Sequence, residues 1–155
     1  MEEYSVRIPS PPSEEDKKKH KVFVYGSMLT DEIAEEVIKR VPISSPAILH
    51  NYHRYNVKDR LYPAVVPMET HQVVGKVLFD LTDLELNLLD LFEDYEYERL
   101  PAEVTISDSM EKITVDVYVW VNKTDPKLHG EWNFQEWKEK HFKDFLQMTI
   151  DCGDM

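Results

Sequence analysis

The chain has 155 residues and a formal net charge of −12, from 18 basic and 30 acidic side chains. This length is typical of one domain, and an apolar content of 42% excludes a chain that is disordered throughout. The acidic excess lies in residues 22–155 and would repel phosphates, so we expect neither nucleic acid nor membrane as a partner. Without a membrane-length apolar run or a secretory signal, and with one cysteine, the sequence predicts a cytoplasmic protein.

The two ends of the chain differ from its middle. Three closely spaced prolines and a charged run predict that residues 1–20 form a flexible leader. One folded domain is expected at 21–149, followed by a flexible tail at 150–155. Cys152 falls in this tail between acidic neighbours, which disfavour a reactive thiolate, so no role is predicted for it.

The domain begins with a strand, a helix and then a region rich in β structure. The short apolar run Val22–Tyr25, stopped by Gly26, predicts a buried strand. Thr30 can cap the next helix, whose apolar stripe ends before Pro42. Strand-like stretches follow at residues 47–57, 61–66 and 73–79. Prolines in this region suggest edges or bends rather than a flat central sheet.

The second half contains a helix, a hairpin and another helix. A capping box at Thr82 begins a helix that ends near Phe92. Alternating apolar residues predict a hairpin of strands at 103–106 and 113–121, and Asn133 begins an amphipathic helix. Helices and strands do not alternate as a doubly wound sheet requires. We therefore predict an α+β fold with a mostly antiparallel, barrel-like sheet.

Two features point to chemistry. The segment Tyr25–Leu29 lies between a strand and a capped helix, where backbone N–H groups can converge on an oxyanion or form an ordinary turn. Glu93 lies at the end of the Thr82-capped helix and leans toward its buried side. A helix C-terminus and desolvation both raise a carboxyl pKa, as a general base for an amine requires. The alternative for Glu93 is one more acid of a solvated acidic run.

Metal and nucleotide signatures are missing from the sequence. His50 and His53 fall on opposite faces of a strand-like segment, and there is no HExxH motif or Cys/His cluster. Gly26 stands alone in a chain with four glycines, which does not make a phosphate loop. The sequence therefore predicts no metal and no cofactor.

Several motifs, in order along the chain, resemble the γ-glutamylcyclotransferase-like superfamily. They are Val22–Leu29 (VFVYGSML), Arg60–Pro67 (RLYPAVVP), Val73–Val77 (VVGKV) and Leu89–Arg99 (LDLFEDYEYER). Gly130–Trp137 (GEWNFQEW) is similar to the plant branch of this superfamily, the avirulence-induced proteins. The resemblance spans about residues 21–149 and implies a compact α+β barrel.

The resemblance also implies an acid–base enzyme that cyclises a γ-glutamyl amine or peptide to 5-oxoproline, without metal or cofactor. The substrate-binding loop would comprise Tyr25, Gly26, Ser27, Met28, Leu29 and Thr30. Glu93 would be the catalytic acid and base, while Arg60, beside Tyr62, and Arg99 are candidates for binding the substrate carboxylate. The expected partner is therefore a small γ-glutamyl compound, and a monomer is favoured.

The chain departs from the superfamily pattern at two positions. Met28 stands where a leucine is usual, and Asp94 follows the glutamate where many members have glycine. Glycine tolerates a positive φ better than aspartate does, so the aim of Glu93 depends on how this turn is formed.

Two other functions remain open from the sequence. One is a non-catalytic protein that binds a small ligand in plant stress or defence. The other is an interaction module that uses an exposed patch around Trp132, Phe134 and Trp137 on the last helix.

Overall fold

The computed structural model describes residues 20–153, so the predicted leader lies outside the described residues except for His20. The strands are β1 (His20–Val24), β2 (Ser44–Val57), β3 (Pro63–Leu81), β4 (Tyr97–Ile106), β5 (Lys112–Trp120) and β6 (Leu128–His129). The helices are α1 (Asp31–Ile38), α2 (Asp83–Glu93), α3 (Phe134–Lys140) and α4 (Phe142–Gly153), and a 3-10 turn spans Ser27–Leu29.

The strands close into a barrel. Their order is β3-β1-β5-β4-β2-β6, and β3 also pairs with β2, which joins the two ends of the row of long strands. Among the described residues β1 and β5 are parallel, with Phe23 opposite Val117, and the other pairs are antiparallel. This confirms the predicted α+β fold with a mostly antiparallel, barrel-like sheet.

One long strand replaces two predicted ones. The stretches predicted at 61–66 and 73–79 belong to β3, which pairs with β2 on both sides of an irregularity. There, residues 68–71 of β3 lie opposite Asn51, which has a φ of 65°. A bulge of this kind bends a strand without ending its pairing, which is why the interruption in the apolar pattern is not a loop.

Side-chain caps begin three of the helices, as the sequence predicted. Thr30 Oγ1 accepts from the Ile33 N–H at the start of α1. In α2, Thr82 Oγ1 accepts from the Glu85 N–H at 3.1 Å and the Glu85 carboxylate accepts from the Thr82 N–H at 3.0 Å. Asn133 Oδ1 accepts from the first turn of α3 at 2.8 Å. These local bonds satisfy N–H groups that the helices themselves leave free.

The predicted C-terminal helix is divided in two. The backbone leaves the helical region at His141, which has a φ of −128°, and α4 then runs to Gly153. The break lets Phe142 and Phe145 pack on Trp137, with ring centroids 5.9 and 5.6 Å away. The boundary predicted at 150 falls inside this helix, which runs to Gly153.

Apolar packing fills the barrel and covers its helical side. Phe23, Val104 and Val117 are fully buried inside the barrel, and Trp132 and Trp137 are 5% and 3% exposed where the helices meet it. This burial argues against the interaction module, because these tryptophans pack on their own domain. Within residues 20–153, no helix is long and apolar enough to cross a membrane.

Gly75 allows β3 to lie close to β1. A Cβ atom at this position would lie 2.3 Å from the Val24 carbonyl oxygen and 2.7 Å from Phe23 Cζ. Since backbone would have to move, we expect Gly75→Ala to lower the free energy of unfolding by about 1–3 kcal/mol in urea denaturation. Val74→Thr, at the exposed neighbour, is the control; equal midpoints for the two variants would contradict this account.

Candidate active site

A cavity of about 620 Å³ lies where the barrel end meets α1, α2 and α4. Six of the residues predicted for the site line this cavity: Tyr25, Gly26, Ser27, Met28, Tyr62 and Glu93. Leu29, Thr30 and Arg60, which were also predicted, do not line it. The fold thus brings the acidic residue and the first part of the loop to one cavity, from positions far apart in the sequence.

Leu29 and Thr30 shape the loop instead of facing the cavity. The Leu29 N–H donates to the Gly26 carbonyl at 3.0 Å, and the Thr30 N–H donates to the Ser27 carbonyl at 3.0 Å. These bonds close the 3-10 turn and use the amides of both residues. The N–H groups of Gly26, Ser27 and Met28 take no part in the bonds that close the turn, and all three residues line the cavity.

Arg60 is paired within the protein. Its guanidinium donates to Glu96 Oε1 at 2.6 Å and to the Tyr62 hydroxyl. The hydrogen bond from Arg60 lowers the pKa of Glu96, and the bond to Glu96 raises the pKa of Arg60. Arg60 is therefore not among the residues that line the cavity, and its bond to Tyr62 stiffens the wall that carries this tyrosine.

The other predicted arginine is also occupied, and a lysine lines the cavity instead. Arg99 Nε lies 2.9 Å from Asp90 Oδ1, and its Nη1 lies 3.1 Å from Asp116 Oδ2, away from the cavity. Lys39, at the end of α1, lines the cavity and forms no ion pair within the described part of the chain. The sequence did not predict Lys39 as a site residue, because only the packing of α1 against the rest of the fold brings it to the cavity wall.

Glu93 is the last residue of α2 and faces the cavity. Its carboxyl group makes no hydrogen bond or ion pair with any residue between 20 and 153. Desolvation raises its pKa from the ordinary value of 4.5 to about 8, as expected for an acid near a helix C-terminus that leans inward. A side chain poised in this way exchanges protons near neutral pH, which is the property that a general acid and base needs.

Three tyrosines surround Glu93 without donating to it. The Tyr25 hydroxyl donates to the Tyr118 carbonyl at 2.5 Å, and the Tyr97 hydroxyl donates to the Pro63 carbonyl at 2.6 Å. Burial is the main cause of a raised pKa for Tyr25, Tyr97 and Tyr118, and the nearby charge of Glu93 contributes to each. The hydroxyl protons of these tyrosines are therefore engaged in other hydrogen bonds. None of the three stabilises the negative charge of the Glu93 carboxylate by donating a hydrogen bond to it.

Comparison with known proteins identifies the family of this chain. A family model described as "Gamma-glutamyl cyclotransferase, AIG2-like" matches residues 22–138. The chain belongs to this family. AIG2-like protein D of Arabidopsis thaliana is 48% identical over 136 residues, which cover 87% of this chain and 90% of that protein.

Solved structures of similar proteins share the fold. A solution structure from Arabidopsis thaliana is 39% identical, has a TM-score of 0.71, and is matched over 93% of this chain and 99% of that one. A structure named gamma-glutamyl cyclotransferase has a TM-score of 0.62 at 16% identity, over 88% of this chain and 80% of that one. At 16% identity, the second comparison shows a shared fold, that is, the barrel and its helices.

The turn after Glu93 has a backbone conformation that favours glycine. Asp94 has a φ of 69° and a ψ of −172°, a region that costs a non-glycine residue about 1–3 kcal/mol. Its N–H donates to the Asp90 carbonyl at 3.0 Å, and its Oδ1 accepts from the Tyr95 N–H at 2.8 Å. These bonds hold the aspartate in the strained turn, so the end of α2 and Glu93 stay in place.

Arg54 supports the loop from behind and was not predicted. Its Nη1 donates to the Tyr25 carbonyl at 2.7 Å and to the Val74 carbonyl at 3.2 Å, while its guanidinium lies 5.1 Å from the centroid of a Trp132 ring. Gly26 then passes so close to the barrel that a Cβ atom would lie 2.9 Å from Pro63 Cδ. Arg54 and Gly26 together position the start of the loop.

The cavity offers no evident metal site. Among residues 20–153, no three His, Cys, Asp or Glu side chains are grouped so as to hold an ion. Glu93 lies at this end of the barrel, surrounded by tyrosines. The chemistry available to these residues is proton transfer next to backbone donors.

Proposed function

We propose that this protein is a γ-glutamyl cyclotransferase that releases 5-oxoproline from a γ-glutamyl amine or peptide. The observation that carries the proposal is the position of Glu93, whose carboxyl group lacks hydrogen-bond donors and shares a cavity with the Gly26–Met28 loop. Membership of the cyclotransferase family supports the same chemistry.

Glu93 would move one proton in each half of the reaction. The substrate α-amine attacks its own γ-carbonyl carbon, and the Glu93 carboxylate takes a proton from the nitrogen as the new C–N bond forms. When the original amide C–N bond breaks, Glu93 returns the proton to the departing amine. The atoms balance without water, so the products are 5-oxoproline and a free amine.

The loop would stabilise the negative oxygen formed between these steps. The N–H groups of Gly26, Ser27 and Met28 are free of the bonds that close the turn. A single donor of this kind contributes about 3–4 kcal/mol to the transition state in other enzymes. Because ring closure is intramolecular, the remaining task of the cavity is to hold the reactive conformer.

Lys39, instead of Arg60, would attract the substrate α-carboxylate. It is a cation on the cavity wall without a carboxylate partner among the described residues, whereas Arg60 is bonded to Glu96. Its charge offsets part of the repulsion from the acids around it.

The test is product analysis on a panel of γ-glutamyl amides and γ-glutamyl dipeptides. We expect 5-oxoproline and free amine in equal amounts, measured by chromatography with mass detection. Release of glutamate instead of 5-oxoproline would show hydrolysis and contradict the proposal. Failure of every panel member to react would overturn it.

A second candidate is a ligand-binding protein without turnover. At a pKa of about 8, the Glu93 carboxyl group is mostly protonated at neutral pH and can donate a hydrogen bond to a ligand carbonyl. This function would give NMR shift changes at Tyr25–Leu29 with γ-glutamyl compounds but no product.

A further inference from the structure

Arg54 binds the carbonyl of the peptide group that also carries the Gly26 N–H. Arg54 Nη1 donates to the Tyr25 carbonyl oxygen at 2.7 Å, and the peptide bond between Tyr25 and Gly26 is trans. In a planar trans peptide group, the C=O and the N–H point in opposite directions. The hydrogen bond from Arg54 therefore fixes the direction of the Gly26 N–H.

That direction is toward the cavity. Gly26 lines the cavity, whereas Arg54 does not. Since the Tyr25 carbonyl points to a side chain behind the wall, the Gly26 N–H points to the side on which the substrate would bind. This N–H donates to no acceptor within residues 20–153.

The Arg54 guanidinium is itself held on two further sides. Its Nη1 also donates to the Val74 carbonyl of β3 at 3.2 Å, and its Cζ lies 5.1 Å from the centroid of a Trp132 ring. The Trp132 N–H donates to the Arg54 carbonyl at 3.0 Å, so backbone and side chain hold these two residues together. The cation therefore keeps one orientation toward the Tyr25 oxygen.

Stability alone does not favour this arrangement. Arg54 Nε is buried and has no hydrogen-bond partner among the described residues. Desolvation lowers the pKa of Arg54, and the charge of Glu131 offsets part of that shift. A buried cation with an unsatisfied donor is costly, and an apolar side chain in its place is often at least as stable. Such an exception to the rules of packing is typical of a functional site.

Building on the proposed cyclotransferase activity, we infer that Arg54 is a positioning residue of the oxyanion site, acting through the Tyr25–Gly26 peptide group. It aims the Gly26 N–H at the oxygen that becomes negative when the substrate α-amine attacks the γ-carbonyl. By drawing electron density toward the Tyr25 oxygen, the cation also makes this N–H a stronger donor. Because the negative oxygen exists only during the reaction, Arg54 assists the chemical step more than it assists binding.

The first test is Arg54→Met, which keeps the length of the side chain and removes its donors. With a γ-glutamyl amide that yields 5-oxoproline, kcat should fall about 10- to 100-fold while KM changes less than about threefold. The ¹⁵N NMR signal of Gly26 should move upfield, because the hydrogen bond that polarises its peptide group is lost. Arg54→Lys should lie between the wild type and Arg54→Met in both measurements, since an ammonium group can still donate to the Tyr25 carbonyl.

Lys76→Met is the matched control at the other end of the loop. Lys76 Nζ donates to the Leu29 carbonyl at 3.2 Å, so it is also a cation on a loop carbonyl. The N–H of that peptide group belongs to Thr30 and already donates to the Ser27 carbonyl. Because no free N–H depends on Lys76, this variant should keep kcat near the wild-type value.

The outcomes separate this inference from the proposed function. Equal losses of kcat in Arg54→Met and Lys76→Met would show that general stiffness of the loop matters, and would overturn the inference. Wild-type kcat in Arg54→Met, or a change in KM alone, would overturn it and leave the cyclotransferase in place. If Arg54→Met does not fold, wild-type kcat and an unmoved Gly26 signal in Arg54→Lys have the same meaning. If no amide or dipeptide yields 5-oxoproline with the wild type, the cyclotransferase fails and the inference fails with it.

Discussion

Glu93→Gln should lower the rate of 5-oxoproline release by about 100- to 10,000-fold, the range typical of losing a general acid–base group. Glutamine has nearly the same shape as glutamate but can neither take a proton from the α-amine nor return one to the leaving amine. The measurement is kcat/KM for the best γ-glutamyl amide, with folding checked by circular dichroism.

The matched control for this prediction is Glu98→Gln. Glu98 belongs to the same acidic run but is exposed and does not line the cavity, so its replacement should leave kcat/KM unchanged. Substrate should still bind to the Glu93→Gln protein and shift the NMR signals of Tyr25–Leu29. A folded Glu93→Gln protein with wild-type turnover would show that another group moves the proton.

The same substitution should stabilise the protein in alkaline solution. The folded-state pKa of Glu93 is about 8, against 4.5 ordinarily, so between these pH values the folded chain holds a proton that the unfolded chain releases. Rising pH therefore destabilises the wild type, by up to about 1.4 kcal/mol per pH unit in this window. Glutamine does not titrate, so the variant should have the higher free energy of unfolding at pH 9 and no such advantage at pH 4.

Urea denaturation of both proteins at pH 4, 6, 7.5 and 9 measures this effect directly. The difference between their free energies of unfolding should widen through the window and level off above pH 8. Glu98→Gln should show a flat difference, because that acid is exposed. Parallel curves for Glu93→Gln and the wild type would mean that solvent reaches the Glu93 carboxyl group freely.

The sequence predicted those parts of the fold that depend on neighbouring residues. Thr30, Thr82 and Asn133 begin their helices through bonds to an N–H three residues later, and such signals are visible in any short window. The bulge in β3 and the break at His141 were missed, because both depend on packing partners far along the chain. The β1–β5 pairing that helps to close the barrel is equally non-local.

In the candidate site, too, the sequence predicted what depends on neighbouring residues and missed what depends on distant ones. The position of Glu93 was predictable because a capped helix has a predictable end and an inward-facing side. The partner of Arg60 was not predictable, since a sequence shows a charge but not that Arg60 pairs with Glu96 in the folded chain. Lys39 and Arg54 carried no local signal, because each reaches the cavity or its loop only through the assembled barrel.

Because the chain is synthesised from its N-terminus, α4 is the last element around the cavity to be made. All described barrel strands precede residue 130, whereas the part of the cavity wall that α4 contributes comes from 142–153. A nascent chain that folds from its N-terminus can therefore form the barrel and position Glu93 while this part of the wall is still missing. Any selectivity that α4 provides is acquired only at the end of translation.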